Sequence, residues 1–417
     1  MCQENTLKAL DIDYVRAQFP GLASGYAYMD NAGGSMVLKQ VAERISDYLL
    51  NSSVQLGASY QPSVDAGARV MQARHSVMQL INAAHPEEVI MGGSTTHLLQ
   101  ILCRALAPSL GAGDEIVVTN CDHEANIGPW IKLCEATGAT LRVWEVSLDT
   151  CELELADLKA LLNSNTRYVA MTHTSNILGS VNPVAEVAKL VHAAGAKLCV
   201  DAVAYAPHRL VDVQASGADY YVYSFYKTFG PHFAVLWGRR ELLLELPSLN
   251  HFFIGQDVVP YKLQPGNVNY ELSFGCIGIT DYLLDVADKI GATGSERERM
   301  QAAFDAFEVQ EDLLAKRLLG FLRECPGVRI IGKPDTQGRV PTISFVVEGM
   351  QSEAIVRQVD AHNIGIRFGD FYARRLIEAL GLSQYGAVVR VSLAHYNTLD
   401  EVDRLIMALD QAIDSLR

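Results

Sequence analysis

The stretch KLCVDAV (197–203), followed by YYVYSF (220–225) and AVLWG (234–238), decides the fold class of this chain. These runs are apolar throughout instead of alternating, as expected of strands that are buried on both faces of a sheet. Four earlier runs have the same character: EVIMG (88–92), EIVVTN (115–120), LRVWEV (141–146) and RYVAMTH (167–173). Helical patterns separate the runs, so the sequence predicts an α/β fold with a mainly parallel sheet covered by helices.

The chain beyond about residue 295 has a different pattern. A helical stretch over 299–323 precedes the strand-like runs GVRII and TISFVV, a helical pattern near 352–361, the run VVRVSL and a last helix. That last helix opens with Thr398, followed three residues later by Glu401, which is the spacing of a capping box. This order of elements predicts a smaller α+β domain at the C-terminal end.

We therefore divide the chain into three parts. Residues 1–20 are predicted to be an N-terminal segment associated with the small domain, residues 21–295 the large domain, and residues 296–417 the small domain. The segment 250–275 has no clear periodicity and is rich in Gly, Pro and Asn. We predict a long functional loop there.

Composition narrows the class of protein. The 417 residues are 20% charged and 49% hydrophobic, the balance of a globular protein, and a net charge of −14 argues against nucleic acid as a partner. The start, MCQENTLKAL, lacks the regions of a signal peptide, and no run reaches the roughly 20 apolar residues of a membrane span. The eight cysteines include no C-x-x-C pair, so no metal site is predicted. We expect a cytoplasmic protein that does not bind membranes.

Open parallel sheets bind ligands at the carboxyl ends of their strands. Ser94 and Thr95 follow two glycines and precede a helical pattern, which suits a phosphate, although the same sequence is also an ordinary helix cap. His123 follows the second run, where it could stack on an aromatic ligand, move protons or lie on the surface. Asn176 follows the fourth run, where it could donate to a phenolate oxygen or occupy a turn.

Asp201 and Lys227 are stronger candidates for functional residues than the four residues above. Asp201 ends an apolar run, and a carboxylate there is costly unless it is paired with a cationic ring nitrogen, a metal or an arginine. Lys227 follows YYVYSF among aromatic residues, where desolvation would lower the pKa of its amine and allow imine formation. The chain has no G-x-x-x-x-G-K-[ST] motif, so Lys227 is not predicted to be a Walker-type lysine.

The order of these motifs resembles the class V aminotransferase family, and within it the cysteine desulfurase-like subgroup. The resemblance extends from YMDNA (28–32) to YNTLDEVDR (396–404) and so covers nearly the whole chain. It implies a fold-type I enzyme that uses pyridoxal 5′-phosphate (PLP), with residues 21–295 as the PLP-binding domain. It also implies an amino-acid substrate and a homodimer whose active sites lie at the subunit interface.

The resemblance assigns roles to the matching residues. Phosphate binding falls to Ser94, Thr95 and Ser224, and the hydroxyl of the cofactor lies near Asn176. His123 stacks on the cofactor ring, Asp201 pairs with the pyridinium nitrogen, and Lys227 forms the Schiff base. The substrate carboxylate falls to Arg390, whose bidentate guanidinium suits that task and whose apolar strand VVRVS makes a surface salt bridge less plausible. Catalysis is expected of Lys227, His123 and Asp201, and further substrate contacts of Asn31 and Tyr372.

Four positions depart from the family pattern. Ala204 replaces a glutamine at the cofactor hydroxyl, and Tyr226 replaces a histidine that binds the phosphate, so Tyr226 is the expected cofactor contact there. Asn267 stands where a threonine reaches the phosphate of the partner subunit. Tyr372 occupies the position of the nucleophilic cysteine, and a phenol with a pKa of about 10 cannot replace a thiolate in attacking sulfur.

These features predict a PLP-dependent lyase that cleaves the Cβ–S bond of cysteine, cystine or a related thioether by β-elimination, without a persulfide on the enzyme. The runner-up is another outcome at the same carbon: transamination, epimerisation or a decarboxylation in biosynthesis. A third hypothesis is a PLP-binding protein without turnover, against which the retention of both Lys227 and Arg390 argues. Cys121 and Cys276 are the thiols by position that could still carry sulfur.

Overall fold

The computed structural model describes residues 8–417, and thirteen strands lie in that part of the chain. In chain order they are β1 (Ala27–Tyr28), β2 (Val89–Gly92), β3 (Glu115–Thr119), β4 (Thr140–Trp144), β5 (Thr166–Thr172), β6 (Lys197–Asp201), β7 (Tyr220–Ser224), β8 (Ala234–Gly238), β9 (Val328–Ile331), β10 (Thr342–Val347), β11 (Ile364–Gly365), β12 (Arg367–Gly369) and β13 (Val388–Ser392). Each of the seven apolar runs forms a strand, as predicted, and the seven strands make one sheet.

The large sheet has the order β2-β8-β7-β6-β5-β3-β4. Only β8 runs antiparallel to its neighbours within this sheet, so the sheet is mainly parallel, as the sequence predicts. The carboxyl ends of β2, β3, β5, β6 and β7 therefore meet at one edge. In a sheet of this kind, that edge is where ligands bind.

Fifteen α-helices lie in the same described range. They are α1 (Ile12–Ala17), α2 (Lys39–Asn51), α3 (Gln61–Ile81), α4 (Thr95–Leu106), α5 (Gly128–Thr137), α6 (Leu155–Leu161), α7 (Val184–Ala193), α8 (Val213–Ser216), α9 (Arg240–Glu245), α10 (Tyr270–Gly275), α11 (Ile277–Ile290), α12 (Glu296–Glu324), α13 (Ser352–Asp360), α14 (Arg374–Ala379) and α15 (Leu399–Leu416). None of the described helices is long and apolar enough to cross a membrane.

Both faces of the large sheet are buried, which explains its continuous apolar runs. Cys199 of β6 packs in one hydrophobic cluster with side chains of α4, α5 and α9, whereas Leu198 and Val200 pack in another with side chains of α3, α7 and α11. Successive residues of a strand point to opposite faces, so both sets must be apolar.

The small sheet is antiparallel, in the order β12-β13-β10-β9, and packs against α12, α13 and α15. The capping box predicted at Thr398 and Glu401 is present at the start of α15. At the N-terminal end, Arg16 donates to the carbonyl of Tyr396 at 2.8 Å and pairs with Glu401 at 3.0 Å. Residues 1–7 of the predicted N-terminal segment lie outside the described residues, and the domain boundaries stay predictions.

Several elements differ from the sequence-based expectations. The predicted loop 250–275 is not free of regular structure, because its last six residues form α10 with Asn269 as the N-cap. The short elements β11, β12 and α14 were not expected at all. They are too short for a periodic pattern, and tertiary contacts hold them in place.

Candidate active site

A pocket opens at the carboxyl edge of the large sheet. Its lining includes eight of the residues singled out from the sequence: Ser94, Thr95, His123, Asn176, Asp201, Ser224, Tyr226 and Lys227. Four strand ends and the start of α4 bring these residues together, although they are separated by more than 130 positions in the chain. Ala204, one of the four departures from the family pattern, also lines the pocket.

One end of the pocket suits a phosphate. Helix α4 begins at Thr95, with Ser94 as the N-cap whose hydroxyl accepts the N–H of His97 at 3.1 Å. The hydroxyls of Thr95 and Ser224 lie 2.6 Å apart, so β7 supplies a second donor at the same place. A helix N-terminus with free N–H groups and adjacent hydroxyls favours an anion.

Asp201 is buried at the carboxyl end of β6 and is 4% exposed. Burial raises the pKa of its carboxyl to about 6, while the N–H of Val203, which donates at 2.9 Å, and the charge of Lys227 oppose that rise. A cationic ring nitrogen facing this carboxylate would favour its ionised form further. The residue therefore fits the pyridinium nitrogen of PLP.

Lys227 ends a short 3₁₀ turn directly after β7 and is 7% exposed. Burial, followed by the charge of Arg390, lowers the pKa of its amine to about 8, although Asp201 and Asp30 act in the opposite direction. A larger fraction of the amine is therefore neutral near pH 7 than for an ordinary lysine. Only the neutral amine can form an imine or accept a proton.

His123 lies at the pocket wall in a neutral form. Burial, followed by the charges of Lys227 and Arg390, lowers the pKa of its ring to about 4. Its Nδ1 accepts the N–H of Ala125 at 3.0 Å, which fixes the orientation of the ring. A neutral, oriented imidazole suits a stacking role beside a cationic cofactor ring.

Two buried polar atoms in the pocket have no hydrogen-bond partner among the described residues, Thr174 Oγ1 and Asn176 Oδ1. Both residues line the cavity. Buried polar atoms without partners are costly, so they point to a polar ligand such as the hydroxyl of PLP. Thr174 was missed in the sequence, although it follows the same strand as Asn176 and is separated from it by one residue.

Asp122 is a second carboxylate that the sequence did not single out. It is 1% exposed and accepts hydrogen bonds from the N–H of Thr172 at 3.0 Å and from Asn126 at 2.6 Å. Burial raises the pKa of its carboxyl to about 7. Its bonds connect the end of β3 to the end of β5 and so support the edge of the pocket.

Arg390 projects from β13 of the small sheet and is 1% exposed. Its guanidinium carbon lies 3.6 Å from the centre of the Phe371 ring, and one nitrogen donates to the carbonyl of Asn176 at 3.2 Å. Another nitrogen pairs with Asp30 at 2.7 Å. Its Nε is buried and has no hydrogen-bond partner among the described residues, and Arg390 is not itself among the residues that line the pocket.

Tyr372 lies at the mouth of the pocket and is 70% exposed, with its ring centre 5.1 Å from that of His123. Phe371 and Tyr372 have φ values of 50° and 60°, in the left-handed region that side chains disfavour. The carbonyl of Tyr372 accepts the N–H of Glu124 at 2.7 Å, and that of Phe371 accepts Asn176 Nδ2 at 3.0 Å. These contacts to the large domain hold the strained loop over the pocket.

Besides Arg390 and Tyr372, two further predicted residues, Asn31 and Asn267, are not among the residues that line the pocket. The amide nitrogen of Asn31 donates to the carbonyl of Ser392 at 2.8 Å, and its oxygen accepts the hydroxyl of Tyr396. Its neighbour Asp30 is the residue that contacts Arg390. Asn267 is exposed in the segment before α10. The predicted roles of Asn31 and Asn267 stay predictions.

The two thiols named as possible sulfur carriers are both buried. Cys121 is 2% exposed and Cys276 is 1% exposed. Burial raises the pKa of each thiol above its ordinary value, so the reactive thiolate is disfavoured. Among the described residues, no cysteine lines the pocket.

Comparisons with known proteins show the family of this chain. The sequence model of the family described as aminotransferase class-V matches residues 27–263 and 286–405. The chain is 41% identical to the aminotransferase-like protein FGM3 of Gibberella zeae, over 97% of this chain and 99% of that protein. It is 33% identical to the cysteine desulfurase-like protein ustD of Aspergillus flavus, over 97% of this chain and 91% of that one.

A solved structure shows the same fold. The crystal structure of the cysteine desulfurase CsdA of Escherichia coli superimposes with a TM-score of 0.84 at 26% identity, covering 98% of this chain and 100% of that one. The fold is therefore that of a fold-type I PLP enzyme, as predicted. The chain belongs to the aminotransferase class V family, within which it is cysteine desulfurase-like, and it is a PLP-dependent enzyme.

Proposed function

We propose that this enzyme is a lyase that removes a sulfur leaving group from the β-carbon of an amino acid and carries no persulfide itself. The observation that carries this proposal is the position of Tyr372. A phenol stands at the mouth of the pocket, whereas Cys121 and Cys276 are buried with raised pKa values. Sulfur would then leave on the small product, because no cysteine of the described residues lines the pocket to receive it.

The residues of the pocket would hold PLP by its three polar ends. Ser94, Thr95 and Ser224 would bind the phosphate, and Asn176 with Thr174 the ring hydroxyl. Asp201 would pair with the ring nitrogen. When bound, PLP supplies an electron sink that stabilises negative charge at the α-carbon of an amino acid.

Lys227 is the proposed base. Its pKa of about 8 keeps part of the amine neutral near pH 7, so Lys227 could accept the α-proton of the substrate. The electron pair left at Cα would form a double bond between Cα and Cβ, and sulfur would leave with the electron pair of its bond to Cβ. The products would be a thiol, sulfide or, from cystine, a small persulfide, together with a 2-keto acid and ammonia, with water supplying the keto oxygen.

Arg390 is the proposed ligand of the substrate carboxylate. It is held by the Phe371 ring and the Asn176 carbonyl, and its free Nε faces no partner among the described residues. Tyr372 would then cover the side chain of the bound substrate beside His123, as its exposure at the mouth suggests. The exchange of cysteine for tyrosine at this position is what distinguishes the proposed reaction from sulfur transfer.

We also propose a homodimer. Asn267 is exposed and lies outside the lining of the pocket in its own chain. The family resemblance has this position reach the partner subunit's phosphate site. Sedimentation analysis would report a dimer under this proposal and a monomer if it is wrong.

A panel of amino acids with the purified enzyme tests the reaction itself. Cysteine should release sulfide, cystine a small persulfide and S-alkyl cysteines a thiol, each together with an equal amount of pyruvate. A keto acid that retains its sulfur would instead indicate transamination, and a change of configuration without a keto acid would indicate epimerisation. Either outcome would contradict the lyase proposal.

A further inference from the structure

Asp30 lies between two arginines at the edge of the small sheet. Its Oδ1 pairs with Arg390 at 2.7 Å, and its Oδ2 lies 3.6 Å from a guanidinium nitrogen of Arg367. Arg367 and Arg390 stand directly opposite each other on the antiparallel strands β12 and β13. Like charges at directly opposite positions repel, so this pair creates a place for an anion, and Asp30 supplies one.

Asp30 is not the only contact of Arg390. The guanidinium rests on the Phe371 ring at 3.6 Å and donates to the Asn176 carbonyl at 3.2 Å, and both contacts are independent of Asp30. Asp30 is also far less buried than its partner, with 30% of its side chain exposed against 1% for Arg390.

The charges of the three groups leave room for one more carboxylate. Two arginines and one aspartate sum to a single positive charge, and a substrate carboxylate would neutralise it. Two carboxylates on one buried guanidinium would repel each other, so the incoming group and Asp30 compete for Arg390. Arg367 is 57% exposed, and within the described range its only ion-pair partner is Asp30. Arg367 can therefore form a closer ion pair with Asp30 without breaking another ion pair.

We propose that Asp30 is an internal anion that occupies Arg390 until the carboxylate of the substrate replaces it, and that Asp30 then pairs with Arg367. This inference rests on the proposed role of Arg390 as the carboxylate ligand. Asp30 acts as a positioning residue, and Arg367 acts through Asp30. The exchange favours ligands that bring a carboxylate of their own, since an amine without one cannot displace Asp30.

Propionate is a suitable probe, because it has a carboxylate but no amine that could react with the cofactor. Its dissociation constant would be measured by titration calorimetry on the PLP-loaded enzyme. Asp30→Asn removes the internal competitor, so propionate should bind about tenfold more tightly. Arg367→Gln removes the cation that receives Asp30, so propionate should bind several-fold more weakly.

The double variant, Asp30→Asn with Arg367→Gln, shows whether Arg367 acts through Asp30 or binds propionate directly. In the Asp30→Asn background, Arg367→Gln should leave propionate binding unchanged, because there is no aspartate left to receive. Arg374→Gln is the matched control, since Arg374 is 77% exposed and pairs with Glu378 within its own helix, α14. It should bind propionate as the unmodified enzyme does. Arg367 is itself on the surface, so its variant keeps the test intact if Asp30→Asn folds poorly.

Two results would overturn the exchange. Unchanged or weaker propionate binding in Asp30→Asn would show that Asp30 does not compete for Arg390. An equal loss from Arg367→Gln in both backgrounds would show that Arg367 binds propionate directly. Arg390→Gln separates these failures from a failure of the proposed function. If that variant binds propionate normally, Arg390 is not the carboxylate ligand, and both proposals fall together.

Discussion

The floor and the mouth of the pocket are built in different ways. The floor, which consists of Ser94, Thr95, Asp201, Ser224 and Lys227, stands on strand ends of one rigid sheet and has the residues that the family uses. The mouth consists of Asp30, Phe371, Tyr372 and Arg390. These residues come from the N-terminal and C-terminal parts of the chain, and the backbone at Phe371 and Tyr372 is strained. Under the proposed function, the floor would hold PLP, and the mouth would decide which bond of the substrate is broken.

The largest expected effect is on the floor, from Lys227→Ala. Loss of the amine removes both the covalent attachment of PLP and the proposed base. Activity should fall by about 10⁴-fold or more, and the visible absorbance of the bound cofactor should change with it. Spectra and turnover of the purified variant provide the measurement. An unchanged absorbance band would show that another lysine holds the cofactor.

The next effect concerns Asp201, for which the chain offers a matched control. Asp201→Asn removes the charge that faces the ring nitrogen, so exchange of the substrate α-proton with solvent should slow by about 10²- to 10³-fold. Asp219 is equally buried but lies at the opposite edge of the sheet, where it bonds His192 and the N–H of Leu198 at 2.8 Å each.

Asp219→Asn should lower the unfolding temperature and leave the exchange rate per folded enzyme unchanged. Proton exchange followed by nuclear magnetic resonance measures both variants in the same way. Similar losses of exchange in the two variants would mean that Asp201 acts through stability and not through the cofactor.

At the mouth, Arg390→Lys should act on substrate binding more than on chemistry. A lysine cannot reproduce a bidentate grip, so KM for amino acids should rise by roughly 10- to 100-fold, while binding of amines without a carboxylate changes little. Steady-state kinetics with paired substrates would measure this difference. Equal losses for amino acids and simple amines would remove Arg390 from the carboxylate role.

The smallest effect is a shift in pH dependence at the floor. In protein freed of PLP, the amine of Lys227 has a pKa of about 8, lowered from 10.5 chiefly by burial. The neutral amine is the form that reacts, so the rate of PLP attachment should rise with pH and level off above about pH 8. Mixing experiments over a pH series measure this rate, with a blocked free lysine as the reference. A midpoint that matches the free lysine would contradict the lowered pKa.

The residues of the floor, and Arg390 and Tyr372 of the mouth, could be singled out from the sequence, whereas the contacts that assemble the mouth could not. Asp201 and Lys227 each follow a continuous apolar run, and such runs predict both the strand and its buried end. The contacts of Arg390 join it to Asp30, 360 positions away, and to Phe371 on a short loop. The periodic pattern of apolar residues in a sequence does not indicate contacts between residues that are so far apart in the chain. The same reason explains why Thr174 and Asp122 were missed, since their importance depends on burial and on neighbouring strands.

The loop that contains Phe371 and Tyr372 shows most clearly which features could not be predicted from the sequence. The sequence indicates that Tyr372 replaces a cysteine, but the left-handed backbone at Phe371 and Tyr372 and the bond from Glu124 follow from tertiary packing. Neither residue is a glycine, so the sequence has no signal for that conformation. The burial of Cys121 and Cys276 likewise required the three-dimensional structure.

The central claim is that sulfur leaves this enzyme on a small molecule. Intact-protein mass spectrometry after turnover with cysteine or cystine, before any reductant is added, tests it most directly, with a cysteine desulfurase treated in the same way as the positive control. The protein should keep its unmodified mass while sulfide or a small persulfide accumulates. A stoichiometric addition of sulfur that maps to Cys121 or Cys276 would contradict it.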